Sequence, residues 1–299
     1  METTEENRKL GKYGMIKKLG QGGEGCVWLA RDESLSRPVA VKRLWDKAER
    51  ETGAEGETGR AGEQIGREAA FLRDLRHPML PVVYELFYEE GWYLVMEYID
   101  GISLHNYTER KGPAGEEQAR IWAAALLDVL GYLHTRETPV IYRDLKPDNI
   151  MVCRDGGLRL VDFGAAGFHG FGEGEERRMA YTAGFAAPEQ RKKGGGKTRA
   201  DERSDIYAFG ATLYYMLTGA VPGGTLCATL PVSAYNPLLS AELERIVCRC
   251  MEEDPAARYQ VVAEVVRDLE KRGRHRSGRK REFVRHVEKQ ICLTGSFHI

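Results

Sequence analysis

VIYRDLKPDNIMV, residues 140 to 152, opens on an apolar pair, passes through a string of charged and amide side chains, and closes apolar again. Asp144 and Asn149 lie five residues apart around Lys146-Pro147, so a short loop can present a carboxylate, an ammonium and an amide to one point. A solvated polar loop would account for these residue types, but not for this order after Val140-Ile141. Thirteen residues past Asn149, LRLVDFG sets Asp162 at the end of another apolar run with a glycine following. Asn149 and Asp162 together offer the two oxygen ligands that a phosphate-bound magnesium ion requires from a protein.

Upstream, GQGGEGCV (residues 20 to 27) fits G-x-G-x-x-G-x-V. Alone it is a weak signal, because glycines at hairpin tips also make ordinary tight turns. Its place between two strand patterns argues against a dinucleotide fold and for a flexible hairpin laid over phosphates. Fifteen residues after Val27, VAVK ends an apolar strand on Lys42, where a plain strand-end charge is the competing reading.

YGMIKKLG, GCVWLARD, PVAVKRLW, VVYELFY and WYLVMEYI are short apolar or alternating runs between Gly and Pro, predicting an antiparallel meander in the first hundred residues. Residues 46 to 64 hold almost no large apolar side chain and place Gly at 53, 56, 59 and 62, which predicts a surface loop. IGREAAFLRDLRH then resumes helical spacing up to His77-Pro78. Beyond residue 100, EEQARIWAAALLDVLGYLHTR, DIYAFGATLYYMLTG, AELERIVCRCMEED and YQVVAEVVRDLEKR carry apolar residues three and four apart. The fold class expected is α+β: a small sheet lobe with one main helix, then a larger, mostly helical lobe.

The 299 residues are 42% hydrophobic and 30% charged, with a formal charge of -1, which excludes wholesale disorder and gives no global reason to expect nucleic acid or membrane as a partner. Six scattered cysteines and the charged opening METTEENRKLGK suggest a reducing, cytoplasmic location. Cys248-x-Cys250 fits helical core packing better than a metal site. The apolar stretch IWAAALLDVLGYL is interrupted by Asp128, short of the roughly 18 to 20 residues a bilayer span needs.

Taken together, the glycine-rich loop, VAVK, YRDLKPDN, DFG and AAPE, in this order, resemble a eukaryotic-type protein serine/threonine kinase, most similar to the bacterial members of that superfamily. The resemblance covers roughly residues 12 to 270, leaving an extension at 1–11 and a tail at 271–299. It implies a two-lobed fold, small to about residue 97 and larger from about 98, and an ATP-dependent transfer to protein Ser and Thr hydroxyls, autophosphorylation included. Gly20, Gly22 and Gly25 would let the loop cover the ATP phosphates, Leu19 would belong to the same ATP-binding set, Val27 and Ala40 would sandwich the adenine, and Lys42 would hold the α- and β-phosphates. Its partner would be Glu68, with Glu63 a poorer match. Met96 resembles the residue at the back of the adenine pocket, and Glu97 and Tyr98 the connection whose backbone binds the base.

Asp144 would orient the substrate hydroxyl and accept its proton, Lys146 would neutralise charge on the transferring phosphoryl group, and Asn149 and Asp162 would hold Mg2+ or Mn2+. Lys146 in D-x-K-P-x-N resembles the serine/threonine class. Tyr142 stands where most members have His and would pack beneath Phe163. Glu189 and Arg258 resemble a buried ion pair, and Asp205 a residue that accepts backbone hydrogen bonds from the catalytic loop. A pseudokinase scaffold is the alternative, although every expected catalytic and metal position is filled. A small-molecule kinase usually lacks Lys146-Pro147 and the region from AAPE to DIYAFG.

Two segments carry regulatory expectations. KRGRHRSGRKR (271–281) has seven Lys or Arg and no acid, so residues 271 to 289 are expected to contact an anionic membrane surface or a polyanionic partner, with a solvated terminus as the alternative. Between Gly164 and Thr182 the only hydroxyl is that of Tyr181. One of Glu173, Glu175 or Glu176 is expected to supply a fixed negative charge toward Arg143, with phosphorylation of Thr182 or Tyr181 as the runner-up.

Overall fold

Alternation of apolar and polar residues builds the first sheet of this chain, for which a computed structural model describes residues 8–22, 25–44, 72–162, 167–168, 183–191, 200–223, 230–237 and 239–271. The strands are β1 (Lys9–Leu10), β2 (Tyr13–Gly22), β3 (Gly25–Asp32), β4 (Arg37–Leu44), β5 (Val83–Tyr88) and β6 (Trp92–Glu97), all antiparallel in the order β1-β2-β3-β4-β6-β5. Because successive side chains point to opposite faces, Cys26, Trp28, Ala30, Val39, Val41, Tyr93 and Val95 fall on one face and join Leu10, Tyr13 and Met15 in a buried core. Each buried Val, Leu or Met there contributes about 1.5–3 kcal/mol. The ladder sets Val27 opposite Lys42, Lys42 opposite Leu94 and Ala40 opposite Met96. Those five residues therefore share the other face.

The sheet curls until its outer strands meet. Tyr13 of β2 stacks on Phe87 of β5 at 5.8 Å, and Phe87 stacks on Tyr93 at 5.6 Å. Tyr13 Oη donates to Glu85 at 2.5 Å and Lys12 Nζ lies 2.9 Å from the same carboxylate. Of the helix expected over 65 to 77, residues 72–74 are helical in the structure; the remainder up to 71, the expected loop at 46 to 64 and the basic tail from 272 onward lie outside the described residues.

The chain divides into two units, Met1–Ile102 with Ile150–Gly164, and Ser103–Asn149 with Ala165–Ile299. A three-stranded sheet of β7 (Gly101–Ser103), β9 (Ile150–Cys153) and β10 (Leu158–Leu160) has β9 at its centre, and β8 (Val140–Ile141) pairs with β11 (Gly167–Phe168). Besides β8 and β11, the described residues of the second unit carry the helices α1 (Leu104–Lys111), α2 (Glu116–His134), the short α3 (Pro188–Arg191), α4 (Glu202–Thr218), α5 (Val232–Tyr235), α6 (Ala241–Cys250) and α7 (Val262–Lys271).

Helix α4 is the axis of this unit, with every residue from Ser204 to Thr218 buried. It starts in a capping box, the Asp201 carboxylate accepting from Arg203 N–H and the Ser204 hydroxyl accepting from Asp201 N–H. It ends at Gly219 in the left-handed conformation. A Cβ added at Gly210 would lie 2.5 Å from Cys250 Cβ, so α4 and α6 approach more closely than any larger residue allows. Cys250 is buried against that contact and Cys248 is exposed.

Candidate active site

The segment 142–149 carries its functional groups on a backbone held from below by one carboxylate. Asp205, in the first turn of α4 and fully buried, accepts the N–H of Tyr142 at 2.8 Å on Oδ2 and the N–H of Arg143 at 2.7 Å on Oδ1. His134, the last residue of α2, brings Nε2 within 2.8 Å of the same Oδ2. A buried carboxyl group with three polar partners is satisfied in a dry interior, where an unpaired one would be costly. The arrangement also holds Arg143 at φ 68°, a left-handed backbone that costs a non-glycine residue about 1–3 kcal/mol.

On that frame the next side chains converge. Lys146 Nζ lies 2.8 Å from Asp144 Oδ2, and Asn149 Nδ2 donates to the Asp144 carbonyl at 2.9 Å and to Asp144 Oδ2 at 2.8 Å. Asn149 is buried, whereas the side chains of Asp144 and Lys146 keep 22% and 20% exposure, enough for a solute to reach them. Thr212 Oγ1 donates to the Leu145 carbonyl at 3.5 Å from within α4.

In the first unit, Lys42 is buried on the same sheet face as Val27, Ala40 and Met96, and its ammonium pairs with Asp162 Oδ1 at 2.5 Å. Asp162, two residues beyond β10, keeps 44% of its side chain exposed and has φ 69°, the second left-handed position in the expected site. Leu19 is exposed at an irregular step of β2, next to Gly20, and Gly22 pairs with Gly25 where the hairpin closes. Gly25 admits no other residue: its φ is +152° and a Cβ would stand 1.9 Å from the Arg43 carbonyl oxygen. At the end of β6, Glu97 N–H donates to the Val82 carbonyl at 2.8 Å, so this donor is already engaged, and Tyr98 follows half-buried.

Glu68, Phe163, Glu173, Glu175, Glu176, Tyr181 and Thr182 lie outside the described residues. Just after them, Glu189 and Arg258 form the expected buried pair, with Arg258 Nη1 and Nη2 at 2.7 and 2.9 Å from the two carboxylate oxygens. Burial pushes the Glu189 carboxyl up, but the Arg258 guanidinium and the Ser204 hydroxyl outweigh it and hold it below the ordinary glutamate value. His134 and Gln190 escaped the sequence reading. Gln190 donates from Nε2 to the Arg143 carbonyl at 3.1 Å.

The sequence pattern of the protein kinase domain matches residues 13–268. The chain belongs to the protein kinase domain family. The chain is 29% identical over 276 residues to the serine/threonine-protein kinase PrkC of Bacillus subtilis, covering 88% of this chain and 40% of that protein. It is 32% identical over 277 residues to the serine/threonine-protein kinase PknB of Mycobacterium tuberculosis, covering 86% of this chain and 42% of that protein. This kinase chain thus spans about two fifths of the length of those relatives. Among solved structures, the apo form of PpkA-294 superposes with a TM-score of 0.68 at 24% identity, over 89% of this chain and 99% of that one. The Mycobacterium tuberculosis PknI kinase domain gives 0.66 at 22% identity, over 89% and 98%. Both share the fold of this kinase domain.

Proposed function

We propose that this kinase domain transfers the γ-phosphoryl group of ATP to Ser and Thr hydroxyls of protein substrates, its own among them. The observation that carries the reading is the convergence of Lys146 and Asn149 on the Asp144 carboxylate, on a loop held by Asp205. In this reading Asp144 orients the acceptor hydroxyl and takes its proton as the O–P bond forms. The ammonium of Lys146 stands beside it, where the phosphoryl oxygens gather charge. Because the transition state is loose, placing these groups and their charges supplies most of the catalysis. Lys42, on the face that also carries Val27, Ala40 and Met96, holds the nucleotide phosphates. The likeness to kinases named for Ser and Thr, and Lys146 itself, support that acceptor class.

The donor set fits magnesium. Asn149 donates from Nδ2 to the Asp144 carbonyl and carboxylate, so its amide oxygen is the acceptor it could offer an ion, and Asp162 carries a half-exposed carboxylate. When bound, the ion would neutralise phosphate charge. Free thiols at Cys26, Cys153, Cys248 and Cys250 support a reducing, cytoplasmic setting. Phosphoryl transfer from Mg-ATP to a mixed protein pool, read by phosphoamino-acid analysis, tests the proposal. Asp144→Asn should lower the rate by about 10²- to 10⁴-fold. Lys42→Met should also abolish most transfer while changing unfolding free energy by less than about 1 kcal/mol, since its partner can be solvated. Wild-type rates in Asp144→Asn, or phosphotyrosine as the main product, would sink it.

A further inference from the structure

Gln190 is the third residue of α3, next to the Ala187-Pro188-Glu189 corner, and its amide is used at both ends. Oε1 accepts the N–H of Ala187 at 2.9 Å, and Nε2 donates to the carbonyl of Arg143 at 3.1 Å. Its neighbours on α3 bond elsewhere: Glu189 to Arg258 and Ser204, Arg191 to the Ala186 carbonyl and the Tyr207 hydroxyl. The Arg143 carbonyl and the Asp144 N–H belong to one rigid peptide plane, because the amide bond does not rotate. A bond to that carbonyl therefore fixes the plane from which the Asp144 side chain departs. The preceding plane is fixed by Asp205 through the Arg143 N–H at 2.7 Å. The left-handed turn at Arg143 is thus gripped on one side by α4 and on the other by α3.

We propose that Gln190 is a positioning residue for phosphoryl transfer, its amide coupling the seat of the segment before Pro188 to the peptide plane that aims Asp144. The proposal rests on the kinase reading above. Glutamine is suited to the position because it must accept and donate at once. Glutamate keeps the acceptor toward Ala187 but sets a carboxylate oxygen against the Arg143 carbonyl; methionine keeps the length and offers neither bond. If Gln190 only filled space, the near-isosteric glutamate would be tolerated.

In the full chain with Mg-ATP and an acceptor protein, Gln190→Glu should lower kcat on the order of 10- to 100-fold, the penalty of a misplaced catalytic group, with KM for ATP unchanged. Gln190→Met should fall between glutamate and the native residue. Gln260→Ala serves as control, because Gln260 Nε2 bonds carbonyls at Pro255, Ala256 and Arg258 and its Oε1 accepts a 3.5 Å bond from Arg203, none of them in residues 142–149, and its loss should leave kcat unchanged. Hydrogen exchange at the Tyr142 and Arg143 amides gives a readout independent of activity: it should quicken about tenfold in Gln190→Glu and not in Gln260→Ala. Native kcat and native exchange in Gln190→Glu, or an equal loss of kcat in Gln260→Ala, would overturn the coupling. Were the native protein itself to transfer no phosphate, the kinase reading would fall, and unaltered exchange in Gln190→Glu would still overturn the role of Gln190.

Discussion

Asp205 in the helical unit and Glu85 in the sheet unit are both carboxylates that gather donors, yet they do so in different ways. Asp205 is wholly buried and draws on two backbone N–H groups and the ring of His134, whose side chain is 7% exposed. Glu85 keeps 39% of its side chain exposed and draws on two side chains, the Tyr13 hydroxyl and the Lys12 ammonium. The first arrangement dictates a backbone conformation, because moving Tyr142 or Arg143 strands a donor in a dry interior. The second closes a seam that water can also serve. The loop expected to do chemistry is thus preorganised at the cost of strain, while the sheet that faces the nucleotide in our reading is closed by replaceable contacts.

The strongest attempt to break this contrast is Asp205→Ala. It leaves the Tyr142 and Arg143 amides and His134 without their acceptor, and each buried unsatisfied group costs about 1–3 kcal/mol. We expect a loss on the order of 5 kcal/mol in urea unfolding, and loss of transfer even where the protein stays folded. A variant that unfolds at the native midpoint would show that the loop is held by something else.

Next in size is the pair beside it. Replacing Glu189 with Gln leaves the Arg258 guanidinium, whose side chain has 0% exposure, without its charge partner and should cost about 3–5 kcal/mol at neutral pH. The pair also sets a pH dependence. The folded Glu189 carboxyl is held below its ordinary 4.5, so its contribution is present above that pH and is lost as the pH falls through the lower folded value. Stability measured from pH 6 downward should therefore decline in the native protein, and Glu189→Gln should remove part of that acid slope. An unchanged slope would mean that other carboxylates carry it.

What could be read in advance follows from the range of each interaction. Strands β2, β3 and β4 announce themselves as short apolar or alternating runs between Gly and Pro, and 142–149 by an order of residue types that a solvated loop does not need. Lys42 and Asp162 were each expected as site residues from their own motifs, but their direct bond spans 120 residues and no spacing reports it. Gln190 and His134 act on partners 47 and 71 residues away, and in Gln190 the partner is a carbonyl, which any residue type possesses. Helix α4 was legible by apolar residues three and four apart, but its two hydroxyl residues Ser204 and Thr212 carried no signal of their place. Both are buried, with Ser204 bonded to Glu189 and Thr212 to the Leu145 carbonyl, so polarity there marks an internal bond instead of a wet face. The seam at Glu85 was illegible for the opposite reason: Lys12 and Glu85 look like surface charges, and only the curl of the sheet brings Glu85, 72 residues on, to Tyr13 and its neighbour Lys12.

That seam supplies the smallest expected effect and the sharpest control. Burial, and then the hydrogen bond to Glu85, push the Tyr13 hydroxyl from its ordinary 10 up to about 12, while Lys12 opposes the shift. The folded state favours neutral tyrosine, so the contribution is fully present below pH 10 and is lost as the pH rises through about 12. Tyr13→Phe keeps the ring stacked on Phe87 and removes only the hydroxyl, leaving Glu85 to Lys12 and to water. We expect a cost of about 1 kcal/mol at neutral pH, with a flatter stability curve between pH 10 and 12, measured by urea unfolding. Transfer activity should stay native, since no catalytic backbone depends on this carboxylate. A loss comparable to that of Asp205→Ala would erase the distinction between a carboxylate that shapes the backbone and one that only closes a seam.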